Sequence, residues 1–144
     1  MRRGCRTAAS PCDIVQVAHG APPKQKEQTV QYLLMIYASE RDEEAASAAD
    51  AATMVAAYTA YSEAVRKAGV LVSADRLRPT ADATTVRLRD GRTEVLNGPY
   101  AETREQLGGY YLIDVPDLDA ALSWAARCPG AAHGSIEVRP IWAM

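Results

Sequence analysis

The order of the apolar patterns constrains this chain more than any other feature, because the patterns alternate between strand and helix periods. A short apolar run at 32–37 predicts a central strand. Asp50 is the predicted N-cap of a helix that runs to about Ala68, where Gly69 supplies the C-terminal stop. The apolar stripe of this helix comprises Met54, Tyr58, Tyr61, Val65 and Ala68. Residues 70–72 begin a second strand and complete one strand–helix–strand unit.

A hairpin follows this unit. Residues 84–89 and 92–96 flank Asp90-Gly91, a dipeptide that tolerates the positive φ angles of a two-residue turn. Apolar and basic side chains alternate along the first of these strands, which predicts one buried face and one solvated face. The alternating residues are Val86 and Leu88 on one side and Arg87 and Arg89 on the other.

The second half repeats the plan of the first. Residues 110–115 predict a strand, and Asp117 is the predicted cap of a helix that ends before Pro129-Gly130. Residues 135–139 form the last predicted strand, and Pro140 suits an edge position because it lacks a ladder donor. Two such units around a hairpin predict an α+β fold of the ferredoxin-like sandwich type.

Length and composition exclude several classes of protein. The chain has 144 residues, a net charge of -2 and 48% hydrophobic residues, which suits one globular domain. A mildly acidic chain does not favour direct binding to nucleic acid, and no apolar run approaches the ~20 residues that span a membrane. Three cysteines without a C-x-x-C pair favour a reducing, cytoplasmic setting.

No cofactor motif is visible. The sequence contains no phosphate loop, zinc-ligand cluster or dinucleotide fingerprint, so it predicts no cofactor and no metal site. The paired Gly108-Gly109 enters a strand, and we interpret it as room for a bulge or for close backbone approach.

The first 29 residues differ from the remainder. They contain five Lys or Arg against two Asp or Glu, and no apolar stretch that would make a signal peptide. We expect a mostly disordered tail, with a short strand at Ile14 to Val17 as the alternative. Because Val30 fits an alternative start codon, the segment is also a candidate artefact of start-site choice.

The chain from Val30 to Met144 resembles the YCII-related proteins of the DGPF type. The segments that carry the resemblance are 32–37, Arg89-Asp90-Gly91, 97–102, 105–113 and 137–142. The resemblance implies a homodimer in which two sheets meet and close an α/β barrel. The sheet also has one uncovered face, which layer packing requires to be shielded. Asn97 and Tyr100 stand where the family has Asp and Phe, so a role that needs a carboxylate at 97 is not expected here.

A second departure concerns catalysis. A smaller branch of this superfamily resembles dehydrochlorinase-like enzymes, which use a His–Asp pair, and those positions fall on Tyr58 and Cys128 here. A phenol and a thiol titrate at about 10 and 8.5 and are poor substitutes for that pair. The His–Asp mechanism should therefore not be transferred, and no catalytic residue is assigned.

The resemblance and the residue types predict a candidate ligand cleft beside the dimer interface. Each of its polar residues also has an ordinary structural interpretation, such as an ion pair between Arg139 and Glu137. The cleft comprises Tyr58, Asp75, Asn97, Pro99, Tyr100, Glu102 and Arg139.

Three functions stay open. The first is binding of a small molecule in this cleft, as a ligand sensor without turnover. The second is an accessory or regulatory role beside an extracytoplasmic-function sigma factor, which relatives of the DGPF type suggest. The third is a lyase-like enzyme. The fold alone does not rank them.

Overall fold

The computed structural model describes residues 28–142. The expectations for the tail, including its Ile14 to Val17 strand, lie outside these residues. The elements in chain order are β1 (Val30–Ala38), α1 (Glu40–Ala45), α2 (Ala48–Lys67), β2 (Leu71–Arg76), β3 (Thr84–Arg89), β4 (Arg92–Asn97), β5 (Gln106–Val115), α3 (Leu118–Arg127) and β6 (Ser135–Pro140). Within the described part of the chain, no helix is both long and apolar enough to cross a bilayer.

Four strands form the main sheet, in the order β2-β5-β1-β6, and every neighbouring pair is antiparallel. Two strand–helix–strand units produce this order when each helix crosses over one intervening strand. The fold is therefore α+β, as the sequence predicts, and is compatible with a ferredoxin-like arrangement. β6 lies at an edge of the sheet, where Pro140 is tolerated.

The core lies between one face of this sheet and helices α2 and α3. Leu34 of β1, Ile113 and Val115 of β5, and Val65 of α2 are fully buried. Tyr61 stacks edge-on against the Tyr111 ring at 5.0 Å between centroids. Close packing of this kind on one face accounts for the alternating burial along β1 and β5.

The helix ends differ in part from the expectation. α3 is capped as predicted, because the Asp117 side chain accepts a hydrogen bond from the Ala120 amide. The N-cap of α2 is Ser47 and not Asp50, and the Asp50 amide donates to the Ser47 Oγ at 3.1 Å. The prediction was wrong because Ser47 competes three residues upstream with an equally good cap.

The other face of the sheet is not covered by either long helix. Its centre consists of half-buried side chains from β1 and β5, and its outer strands carry charged residues. We call this surface the open face, and it comprises Leu33, Met35, Tyr110 and Leu112 at the centre with Asp75, Glu137 and Arg139 on the outer strands.

The hairpin β3–β4 forms a separate two-stranded sheet that makes only sparse contact with other elements. Its turn is as predicted, with φ of 49° at Asp90 and 74° at Gly91. The expected buried face is wrong within one chain. Val86, Leu88 and Val95 share that face and are 63%, 73% and 63% exposed, because the hairpin extends away from the core that would cover them.

Candidate functional site

An open hollow of about 390 Å³ lies where the hairpin joins the main sheet. One wall is a short helical turn at Thr80–Asp82 that follows β2. The opposite wall is the connection from β4 to β5, and the start of β5 completes the lining. The lining residues are Thr80, Ala81, Gly98, Pro99, Ala101, Glu102, Thr103 and Gln106.

Hydrogen bonds between distant segments hold these walls in place. The Glu40 carboxylate at the start of α1 accepts from both the amide and the hydroxyl of Thr80, each at 2.7 Å. The Gln106 side chain accepts from the Glu40 amide at 3.0 Å and donates to the carbonyl of Thr103. Gln106 therefore connects α1, β5 and the far wall of the hollow.

The exit of the hairpin is fixed by its own backbone. Gly98 has a φ of 97°, a conformation that favours glycine. Its amide donates to the Ala83 carbonyl at 2.7 Å, and its carbonyl accepts from the Thr85 hydroxyl at 2.9 Å. These two bonds join the two ends of the hairpin and set the position of Pro99 at the edge of the hollow.

Four of the seven predicted cleft residues lie at or beside this hollow. Pro99 and Glu102 line it. Asn97 is the last residue of β4 and immediately precedes the lining. Tyr100 lies between two lining residues, but its side chain is 80% exposed, and only its carbonyl has a described contact, with the Arg87 guanidinium at 3.5 Å.

Tyr58 lies elsewhere, on the side of the sheet that the helices cover. Its hydroxyl neighbours Gly130, and its half-buried ring packs against the core beside the buried Cys128 thiol. Burial raises the pKa of the Tyr58 phenol well above its ordinary value, and burial also raises the pKa of the Cys128 thiol. Both groups stay protonated near neutral pH, so this pair does not provide a general base.

Asp75 and Arg139 lie on the open face, at opposite edges of the sheet. Asp75 on β2 accepts a hydrogen bond from the Tyr110 hydroxyl at 2.8 Å, and this bond raises the pKa of Tyr110. Arg139 on β6 lies 3.5 Å from the Glu137 carboxylate. The two outer strands are three strand spacings apart, or about 14 Å. The seven predicted residues therefore do not form one cleft in a single chain.

The charge of the hollow is acidic. Glu102 is the charged residue of the lining, and within residues 28–142 it forms no ion pair. Among the residues that the structure describes, no Lys, Arg or His lines the hollow. Across the described residues, no three His, Cys, Asp or Glu side chains are grouped closely enough to hold a metal ion. The arrangement can accept hydrogen bonds from a ligand and can balance a positive charge.

The predicted cleft does not include Thr80, Glu40 and Gln106, whose hydrogen bonds hold the walls of the hollow. Thr80 and Glu40 are separated by 40 positions in the chain, so their contact has no local signature. Gln106 falls within a segment that carries the family resemblance, yet its role as a connection between walls depends on three separate segments. The only available signal was that this segment is rich in polar side chains beside a predicted strand.

The fold and the hollow together define a class: a small α+β protein with helices on one sheet face and a ligand-sized depression at the base of a hairpin. The sequence model of the YCII-related domain family matches residues 30–144, and the chain belongs to that family.

A curated relative, "Uncharacterized protein R00369" of Rhizobium meliloti (strain 1021), is 49% identical over 77 residues. That alignment covers 52% of this chain and 62% of the relative.

Proposed function

We propose that this protein binds a small molecule in the hollow between the Thr80 turn and the connection from β4 to β5. The observation that carries the proposal is the cross-connected wall: Glu40 and Gln106 hold three chain segments around a space of about 390 Å³. Preformed depressions of this volume are typical of small-molecule sites. A cavity whose walls are already ordered binds with less entropic cost.

The chemistry of the lining favours a ligand that donates hydrogen bonds or carries an amine. Glu102 contributes a carboxylate, and within the described part of the chain no basic side chain lines the hollow to pair with an anion. A carboxylate or phosphate ligand would have to lie beside a like charge, which is unfavourable. An amide or amine would pair with Glu102, and a hydrogen bond to a charged group contributes about 1.5–3 kcal/mol.

The protein is also proposed to act as a homodimer joined through the open face. An uncovered apolar sheet face requires a second layer. A second copy would shield Leu33 and Leu112 at the centre of this face. The fold is then of the dimeric α/β barrel type, and the DGPF-type resemblance is the reason to expect it.

Binding without turnover is the form of this function that the geometry supports best. Glu102, the one charged side chain that lines the hollow among residues 28–142, is exposed, and the Tyr58–Cys128 pair lies on the other side of the sheet with both protons retained. A lyase-like reaction could use the Glu102 carboxylate as its base, but among the described residues no second acid or base lines the hollow beside it.

The test is a ligand screen with the full-length protein and two matched variants. Thermal shift against panels of small amines, amides and carboxylates would identify hits, and calorimetry would give their Kd. Glu102→Gln is expected to weaken the best amine about 10- to 150-fold, which corresponds to the loss of 1.5–3 kcal/mol. Glu63→Gln, an exposed carboxylate on α2, is the control and should leave Kd unchanged.

Two results would count against the proposal. Equal affinity of wild type and Glu102→Gln for every hit would mean that ligands bind elsewhere. No hit in any panel, combined with retention of a sigma factor in a pull-down, would favour the accessory role. For the dimer, Met35→Glu on the open face should yield monomers in light scattering, whereas Val55→Glu on exposed α2 should not.

A further inference from the structure

We propose that the β3–β4 hairpin is an arm that lays its apolar face on a second copy of this chain. The inference rests on the proposed dimer and extends it, because it assigns a partner to a surface outside the main sheet. The arm is defined as residues 84–97, and its apolar face comprises Val86, Leu88 and Val95.

The apolar face of the arm is largely exposed to solvent, so we expect another surface to shield it. Leu88 is 73% exposed, and Val86 and Val95, which are directly paired across the strands, are each 63% exposed. A two-stranded hairpin is only marginally stable by itself in water. The described bonds between the arm and its own body are at its base and on the opposite face, through Gly98 and through Arg87 to the Tyr100 carbonyl. Within residues 28–142, no other segment shields the apolar side.

The area of the open face is smaller than a stable dimer interface needs, and a contact of the arm with the second copy would add the missing area. Four strands at about 4.8 Å spacing and six residues at about 3.3 Å give a flat footprint of roughly 400 Å². A stable interface buries about 800 Å² of accessible surface on each partner. The two strands of the arm add roughly half as much footprint again. In a two-fold dimer each copy supplies one arm and receives one, so both contacts form together.

Charge supports the same occupant. The arm carries three arginines against one Asp and one Glu, so it is net positive. The remainder of residues 30–144 carries eight Lys or Arg against fourteen Asp or Glu. The three arginines lie on the face opposite Val86 and Leu88, so the positive charge of the arm acts at long range on the acidic body of a second copy and not through contacts beneath the docked face. Like-charged bodies would otherwise repel each other, and the arm offsets that repulsion.

The arm also connects association to the ligand site. Gly98 and Pro99 form both the base of the arm and one wall of the hollow. Docking of the arm on a partner would fix that wall, so ligand binding and dimerisation are expected to strengthen each other.

The first experiment identifies what the arm touches. Leu88→p-benzoylphenylalanine in the full-length protein, prepared from a mixture of ¹⁴N- and ¹⁵N-labelled chains, is irradiated and analysed by mass spectrometry. Cross-linked peptide pairs of mixed isotope composition are expected, because the contact is between copies. The control is Val55→p-benzoylphenylalanine, a similarly exposed position on α2. Cross-linked peptides that always carry a single isotope would overturn the proposal. Equal yields of mixed-isotope cross-links from positions 88 and 55 would overturn it as well.

The second experiment measures the contribution of the apolar face. The combined variant Val86→Thr, Leu88→Thr and Val95→Thr has side chains that favour strands at all three positions but removes apolar surface, and it should weaken dimerisation at least tenfold in sedimentation equilibrium. Val55→Thr should leave the dimerisation constant unchanged. An unchanged constant in the triple variant would sink the arm contact. The Glu102→Gln comparison would still stand, because it measures ligand affinity and not association.

Discussion

Replacing Gly109 with alanine is expected to destabilise the protein, because the backbone of the neighbouring strand β2 lies against this position. An alanine methyl at 109 would lie 2.7 Å from the Asp75 carbonyl oxygen and 3.3 Å from the Arg76 Cα. Both contacts are with backbone, which cannot rotate aside as a flexible side chain does. The strands β2 and β5 must therefore separate locally or the new methyl must remain strained.

The neighbouring glycine provides a matched control. At Gly108 the nearest contact of an added methyl is the Ile36 carbonyl oxygen at 3.9 Å, an ordinary distance. The β1–β5 register also shifts between Ile36 and Tyr37, which pair with Gly109 and Leu107 and leave Gly108 as the extra residue of a bulge. The interpretation of this glycine pair as room for a bulge and for close approach is confirmed, with one role for each glycine.

The two substitutions are expected to change the free energy of unfolding in different ways. Gly109→Ala should lower the free energy of unfolding by about 1–3 kcal/mol, as overpacking does. Gly108→Ala should leave it unchanged or raise it by up to about 1 kcal/mol, because alanine restricts the unfolded chain. With a urea m-value of about 2 kcal/mol/M, a 2 kcal/mol loss shifts the midpoint by about 1 M.

The assay is urea unfolding followed by far-UV circular dichroism at one fixed protein concentration, since a dimer's stability depends on concentration. Equal midpoints for wild type and Gly109→Ala would refute the reasoning. So would a larger loss in Gly108→Ala than in Gly109→Ala, because it would mean that the close approach is at the wrong residue.

Two further predictions concern the core tyrosines. Burial raises the pKa of Tyr58, Tyr61 and Cys128 in the folded protein. In the unfolded chain the thiol loses its proton at a pH of about 8.5 and the phenols lose theirs at about 10. The free energy of unfolding should therefore be highest below pH ~8.5 and should fall as the pH rises beyond it. A urea midpoint that is constant from pH 7.5 to 10.5 would contradict this. Tyr61→Phe removes the 2.9 Å hydrogen bond to the Trp124 carbonyl and should cost about 0.5–1.5 kcal/mol, measured by the same unfolding assay. The exposed Tyr100→Phe should cost nothing, and equal losses in both variants would argue against the hydrogen bond.

The candidate site was predictable only where its residues are close in sequence. Asn97, Pro99, Tyr100 and Glu102 fall in one polar connection between predicted strands, and the structure keeps them at one wall of the hollow or next to it. The opposite wall comes from Thr80, which is held by a distant carboxylate. No periodicity in a single chain reports a contact of that kind, because it depends on the path of every element between the two residues.

The other three predicted residues do not line the hollow and lie apart from each other, because they occupy different edges or faces of the sheet. Asp75 and Arg139 occupy its two edge strands, and Tyr58 lies on the helical side. The family resemblance and their residue types placed them in one predicted cleft. Which face and which edge an element receives is decided only when the strands pair, since a strand alone exposes both faces equally.

By itself, the sequence determined the local features of this protein: the strand at 32–37, the Asp90-Gly91 turn and the Asp117 cap. Each depends on bonds and steric limits within a few residues, so the side chains specify them directly. Only the tertiary structure decided the order β2-β5-β1-β6, the hollow around Gln106 and the exposure of Val86. Alternation along a strand predicts that one side is to be covered, but the covering surface lies far along the chain or on another copy.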